Sequence, residues 1–105
     1  READGLALSS RNVYLNQAER KAALILYRTL SRAKELIEIG ERDAAALREQ
    51  LIKTIAAEPS ASLDYLEIAD SESLEPVAKL TGEIIIALAV RIGTTRLIDN
   101  MVFRL

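Results

Sequence analysis

The chain of 105 residues predicts an α+β domain, with two antiparallel N-terminal helices packed on a small antiparallel sheet of about three strands. Three observations carry that expectation. Between Asn16 and Ala57 the apolar residues recur every three or four positions, which is the helical period. Beyond Pro59 the pattern gives way to short runs rich in β-branched residues, which suit strands. Helices come first and strands second rather than alternating, which argues for α+β over a parallel α/β sheet.

The first helix is expected from Asn16 to Ile39, with Ala23, Leu26, Tyr27, Leu30, Ala33 and Ile37 along one face. Asn16 and Glu19 form an Asn-x-x-Glu capping box at its start, and Gly40 is placed to end it. A second helix is expected from an Asp43 N-cap to about Ala57, burying Ala44, Leu47, Leu51 and Ile55 before Pro59 stops it. The short link Gly40 to Arg42 implies that the two helices pack antiparallel.

Leu63 to Asp70 reads as a strand with Leu66 and Ile68 on one face, flanked there by Asp64 and Asp70, and with Glu67 on the other. Ser71 to Thr81 reads as a connection with one helical turn around Glu75 to Leu80, followed by a Thr81-Gly82 turn. Glu83 to Ile92 is almost wholly apolar, and Ile84, Ile85, Ile86, Val90 and Ile92 favour a central strand covered on both faces over a helix. Gly93-Thr94 permits a reversal, so that Arg96 to Asn100 returns as an antiparallel strand. No repeat or internal linker appears, so residues 1–105 form a single domain.

Composition narrows the chemistry. With 14 basic and 16 acidic residues the formal charge is −2, which lacks the basic excess of a nucleic-acid binder. The first 57 residues carry ten Lys/Arg against eight Asp/Glu, and the rest four against eight, so any anion partner suits the N-terminal half. The absence of Cys and His removes disulfides, zinc-type sites, thiol nucleophiles and imidazole bases together. No apolar run is long enough to span a bilayer, and a cytoplasmic location is the expectation. The chain opens on Arg1 rather than Met and meets a motif at once, so it reads as part of a longer protein.

That motif is Arg1-Glu2-Ala3-Asp4-Gly5-Leu6-Ala7-Leu8-Ser9-Ser10-Arg11-Asn12, ahead of the first helix. Ser9 and Ser10 can donate to phosphate oxygens, and Arg11 offers a planar fork of donors that stays charged. The same composition would serve an ordinary capped loop with a surface arginine, and it is not a Walker loop. Asp64, Glu67 and Asp70 do not converge as a metal cluster, because alternation separates Glu67 from the other two. Asp99 and Asn100 are expected to hydrogen-bond locally at a strand end, and Arg20 and Lys21 to be solvated.

The twelve-residue run, followed by Tyr14-Leu15, resembles the segment by which pantothenate synthetases (pantoate–β-alanine ligases) enter their C-terminal domain. Leu63-Asp64-Tyr65-Leu66-Glu67-Ile68 and Thr95-Arg96-Leu97-Ile98-Asp99-Asn100 extend the resemblance through almost the whole chain. The resemblance implies a ligase in which pantoate attacks ATP to form pantoyl adenylate and pyrophosphate, after which β-alanine displaces AMP to give pantothenate. Mg²⁺ accompanies the ATP. It further implies that Leu8, Ser9, Ser10 and Arg11 hold the ATP phosphates, with Ser10 and Arg11 acting in catalysis, in a loop similar to the Lys-Met-Ser-Lys-Ser loop of class I aminoacyl-tRNA synthetases. Leu8 stands where the family often carries Met.

On the same resemblance the chain is a lid domain, with residues 1–12 at the interdomain hinge. A Rossmann-like N-terminal domain holding a His-rich motif, the pantoate site and most of a homodimer contact lies outside it. The fragment alone is then expected to be inactive. The competing expectations are a noncatalytic protein-interaction module and a nucleotide-binding regulatory domain.

Overall fold

The computed structural model describes all 105 residues. Asn16 opens the first long helix as its capping box predicts: its Oδ1 accepts the Glu19 N–H at 2.8 Å, and Glu19 Oε1 accepts the Asn16 N–H at 3.1 Å. The helix is bent into α1 (Gln17–Ala23) and α2 (Ile25–Glu38), where the sequence suggested one continuous helix from Asn16 to Ile39. At the bend the Leu24 N–H reaches only three residues back, to the Lys21 carbonyl at 3.3 Å, tightening the turn without proline or glycine. The bend sets α1 beside β2 while α2 lies across β2 and β3.

Gly40, at φ +109°, ends α2 in a left-handed cap. The Glu41 N–H bonds the Leu36 carbonyl at 3.0 Å and the Gly40 N–H bonds Ile37 at 3.1 Å, satisfying carbonyls that the helix end would orphan. Asp43 then caps α3 (Ala44–Ala56) through the N–H groups of Ala45 and Ala46. The two long helices pack on each other as the short link requires.

β1 (Ala61–Asp70), β2 (Glu83–Ile92) and β3 (Thr95–Arg104) form an antiparallel meander in the order β1-β2-β3. Ile92 pairs with Thr95 across a two-residue turn in which Gly93 takes φ +61°. A bulge between Leu63 and Tyr65 shifts the β1 register and frees Asp64 from simple alternation. The connection after β1 holds no helical turn. After a turn over residues 71–73, the residues around Pro76 pair outward instead, with Ala69 bridged to Pro76 and Asp43 to Lys79, and with the Val77 and Leu80 N–H groups bonded to the Ile68 and Arg42 carbonyls.

Ile84, Ile86, Leu88, Val90 and Ile92 of β2 are fully buried against Leu26, Leu30, Leu47 and Leu51 of the helices. Each such side chain stabilises the fold by about 1.5–3 kcal/mol through burial. The strand is central, as expected, but it is not covered on both faces. Ile85 and Ala87 are only half-buried, and on the same face of β3 Val102, paired with Ile85, and Ile98, paired with the buried Ala89, are 49% and 48% exposed. All three helices lie on one side, so the unbroken apolar run of β2 reflects one packed face and one open apolar face.

Candidate functional site

The motif Arg1–Asn12 divides into a clamped base and an exposed tip. In the base, the Glu2 N–H bonds the Leu6 carbonyl at 2.7 Å and the Gly5 N–H bonds the Glu2 carbonyl at 2.9 Å, closing a tight loop. Gly5 lies at φ +96° against the Tyr27 ring of α2, and Leu6 is buried in the core. Arg1 stacks 4.9 Å from the Tyr27 centroid and pairs bidentately with Asp99 of β3 at 2.5 and 2.9 Å. That bond to Asp99 raises the Arg1 pKa further above its usual range.

A second clamp is built on Arg20 of α1. Its guanidinium donates to Glu2 at 2.9 Å and to Asp4 at 3.1 Å. The bond from Arg20, and then that from Asn12, holds the Glu2 carboxyl below the usual glutamate range. Asn12 Nδ2 donates to Glu2 Oε2 at 2.6 Å and to the Ala7 carbonyl at 3.0 Å, so one amide ties together the two ends of the stretch 8–11. Its Oδ1 is buried without a partner.

Between those ties Leu8, Ser9, Ser10 and Arg11 stand in solvent. Ser9 Oγ accepts the Arg11 N–H at 3.1 Å and so caps a 3₁₀ turn over Ser10–Tyr14 that the sequence did not announce. The Ser9 hydroxyl hydrogen and the whole Ser10 hydroxyl stay available as donors. Arg11 makes one side-chain bond to protein, from Nη1 to the Arg96 carbonyl on the edge of β3 at 3.3 Å. The remaining guanidinium donors face outward. Leu6, Ser9, Arg11, Asn12, Leu97 and Asp99 border a shallow cleft of about 240 Å³ between the loop and β3.

Several expectations about single residues change. Asp99 is not a strand-end residue: it lies in the middle of β3, 7% exposed, and its carboxylate reaches Arg1 as well as the neighbouring Asn100 N–H. Arg20 is a clamp rather than a solvated cation. Asp64, released by the bulge, pairs with Arg96 at 2.5 Å, and Arg96 in turn lies over the Tyr65 ring. Asp70 accepts the N–H groups of Glu72 and Ser73, each at 2.9 Å. The sequence signal for the clamps was the density of paired charges in the motif, but the partners Asp99, Arg20 and Tyr27 lie too far along the chain to be named from it.

The largest cavity, about 570 Å³, is elsewhere, between the start of α3 and the outer edge of β1. Alanines, Pro76 and Val77 line much of it, and Arg48 donates to the Leu66 carbonyl inside it. Its walls offer no converging donors comparable to the loop tip.

A family profile for pantoate–β-alanine ligase matches residues 1–102. The chain is 64% identical over 102 residues to the pantothenate synthetase of Heliobacterium modesticaldum, covering 97% of this chain and 36% of that protein. It is 53% identical over 105 residues to that of Clostridium botulinum, covering all of this chain and 37% of the relative. The crystal structure of pantothenate synthetase from Thermus thermophilus superposes with a TM-score of 0.88 at 42% identity, over 96% of this chain and 36% of the other. The chain thus spans little more than a third of the relatives it matches, with the same fold over that third. Sequence and fold agree over nearly every residue present, and the chain belongs to the pantoate–β-alanine ligase family.

Proposed function

We propose that this chain is the C-terminal, ATP-clamping domain of a ligase that condenses pantoate with β-alanine through pantoyl adenylate, releasing pyrophosphate and then AMP. The observation that carries the proposal is the exposed tip. Leu8, Val13 and Tyr14 are 73%, 81% and 73% exposed around Ser9, Ser10 and Arg11, while the flanking residues 1–7 and 12 are pinned by six charged or amide side chains, Arg1, Glu2, Asp4, Asn12, Arg20 and Asp99. A loop with only a structural role gains nothing from holding donors and apolar groups in water on a fixed base.

Attack of the pantoate carboxylate on the α-phosphorus shifts negative charge onto the departing pyrophosphate. Arg11 would meet that charge with preplaced N–H donors, and Ser10 would add its hydroxyl. Leu8 and Ser9 would complete the phosphate contact. Such donors lower the barrier because they are oriented before charge develops. The chain offers the accompanying Mg²⁺ no ligands beside the tip, since Glu2 and Asp4 are already engaged by Arg20 and Asn12. The ion would be held by the nucleotide and by parts of the protein outside this chain.

In this reading the pantoate and β-alanine sites, the adenine wall and the homodimer contact belong to a Rossmann-like N-terminal domain, and the present chain is inactive without it. Arg11→Ala in the longer enzyme should slow adenylate formation about a hundred- to a thousandfold, or about 3–4 kcal/mol. Turnover within threefold of the parent would refute the role of Arg11. Calorimetry of the 105-residue chain with Mg-ATP should show affinity weaker than micromolar; tighter binding would favour a self-sufficient regulatory nucleotide site.

A further inference from the structure

Asp99 is a charged residue in a layer of otherwise apolar side chains. It faces the helices in the middle of β3, between Leu97 and Phe103 and opposite Leu88, and it is 7% exposed. A carboxylate in such a layer stabilises nothing unless it is paired, and even a well-paired one is often no better for stability than an apolar side chain of similar volume. The pair it makes is directional. Arg1 answers both carboxylate oxygens, at 2.5 and 2.9 Å, and the same Nη1 donates to the Gly5 carbonyl at 3.0 Å.

The consequence runs from the sheet to the loop tip. Asp99 fixes the Arg1 guanidinium over Tyr27, and Arg1 fixes the Gly5 carbonyl. Gly5 is held in turn against the Tyr27 ring, which a Cβ there would displace, and three residues later the chain reaches Leu8 and the exposed donors. The far side of the tip is tied to the same strand by the Arg11 bond to the Arg96 carbonyl. β3 therefore carries both ends of the tip, one through a part-buried ion pair and one through backbone.

We infer that Asp99, acting through Arg1, is a positioning residue that sets the reach of Ser9, Ser10 and Arg11 toward the phosphates. The inference rests on the ATP-handling role proposed above for that tip. Donors aimed at a transition state are sensitive to displacement, and about 1 Å of misplacement costs roughly a hundredfold in rate.

The test uses Asp99→Asn and Arg1→Lys in the full-length enzyme, each checked for folding by circular dichroism and gel filtration. The expected result is a loss of about 10- to 100-fold in kcat for adenylate formation, with KM for ATP changed less than threefold. The double variant should be no worse than the poorer single one, because the two residues act as a unit. Folded variants with parental kcat and only a lowered melting temperature would overturn the positioning role. Arg1→Lys keeps the charge, so it remains informative if Asp99→Asn does not fold. Hydrogen exchange in the 105-residue chain separates this inference from the ligase proposal. Faster exchange at the amides of 7–12 in Arg1→Lys supports the anchor even if the enzyme's reaction proves to be a different one, and unchanged exchange overturns it.

Discussion

Gly5→Ala probes the base of the loop most directly. The backbone there sits at φ +96°, a conformation that costs an L-residue about 1–2 kcal/mol. A Cβ built on Gly5 would lie 2.7 Å from Cε2 and 2.8 Å from Cγ of Tyr27, with Cδ2 nearer still, so the ring must move. Forcing one carbon into a packed contact costs about 1–3 kcal/mol. The stiffer unfolded chain returns about 0.4–1 kcal/mol, leaving a net destabilisation of about 1–4.5 kcal/mol. For a domain of this size that corresponds to a melting temperature lower by about 4–18 °C. The assay is equilibrium urea unfolding and thermal melting of the parent, Gly5→Ala, Tyr27→Ala and the double variant. In the Tyr27→Ala background only the backbone term remains, so the glycine substitution should cost about 1 kcal/mol there. An equal cost in both backgrounds would show that the ring does not hold Gly5, and the account of the clamped base would fall.

Two further outcomes follow from local geometry. Asp43→Ala removes the oxygen that caps α3 and should lower stability by about 1 kcal/mol in urea unfolding, with no change in the antiparallel helix pairing; a neutral result would mean that water serves the Ala45 N–H equally well. The Asp70 carboxylate accepts the Ser73 and Glu72 N–H groups, which holds its pKa below the ordinary aspartate range. A depressed carboxyl contributes stability that is present above its unfolded value, about 3.9, and is lost as pH falls through the lower folded value. Carbon-13 titration of the Asp70 carboxyl should therefore give a midpoint below about 3.9, and a midpoint at or above it would contradict the turn geometry.

The parts of the fold that proved legible are those whose partners lie within one helical turn or one hairpin. Asn16 with Glu19, Gly40 with Leu36 and Ile37, and Asp43 with Ala45 and Ala46 all satisfy backbone groups a few residues away. Gly93-Thr94 sets the β2–β3 register by the same local logic. The expected helical turn near Pro76 failed because that segment folds back to bond the end of β1 and also bonds the α2–α3 link and the start of α3, more than 30 residues away, so its backbone groups are not left for a helix. The two covered faces expected of β2 failed for a related reason: an apolar run reports that its side chains are apolar, not how many layers exist to cover them.

For the candidate site, the residue types and order of Leu8, Ser9, Ser10 and Arg11 were in the sequence alone, because hydroxyls and a guanidinium have the same donors in any fold. So was the family, through a run of twelve residues. What only the tertiary structure decided is which residues of that run face solvent and which hold it in place. Arg1 and Asp99 are 98 positions apart, Glu2 and Arg20 are 18 apart, and the bulge that turns Asp64 toward Arg96 acts across the sheet. Pairings of that range depend on how helices and strands are stacked, and burial then selects them: the Asp99 carboxylate, with little access to water, requires the one cation that topology brings to it.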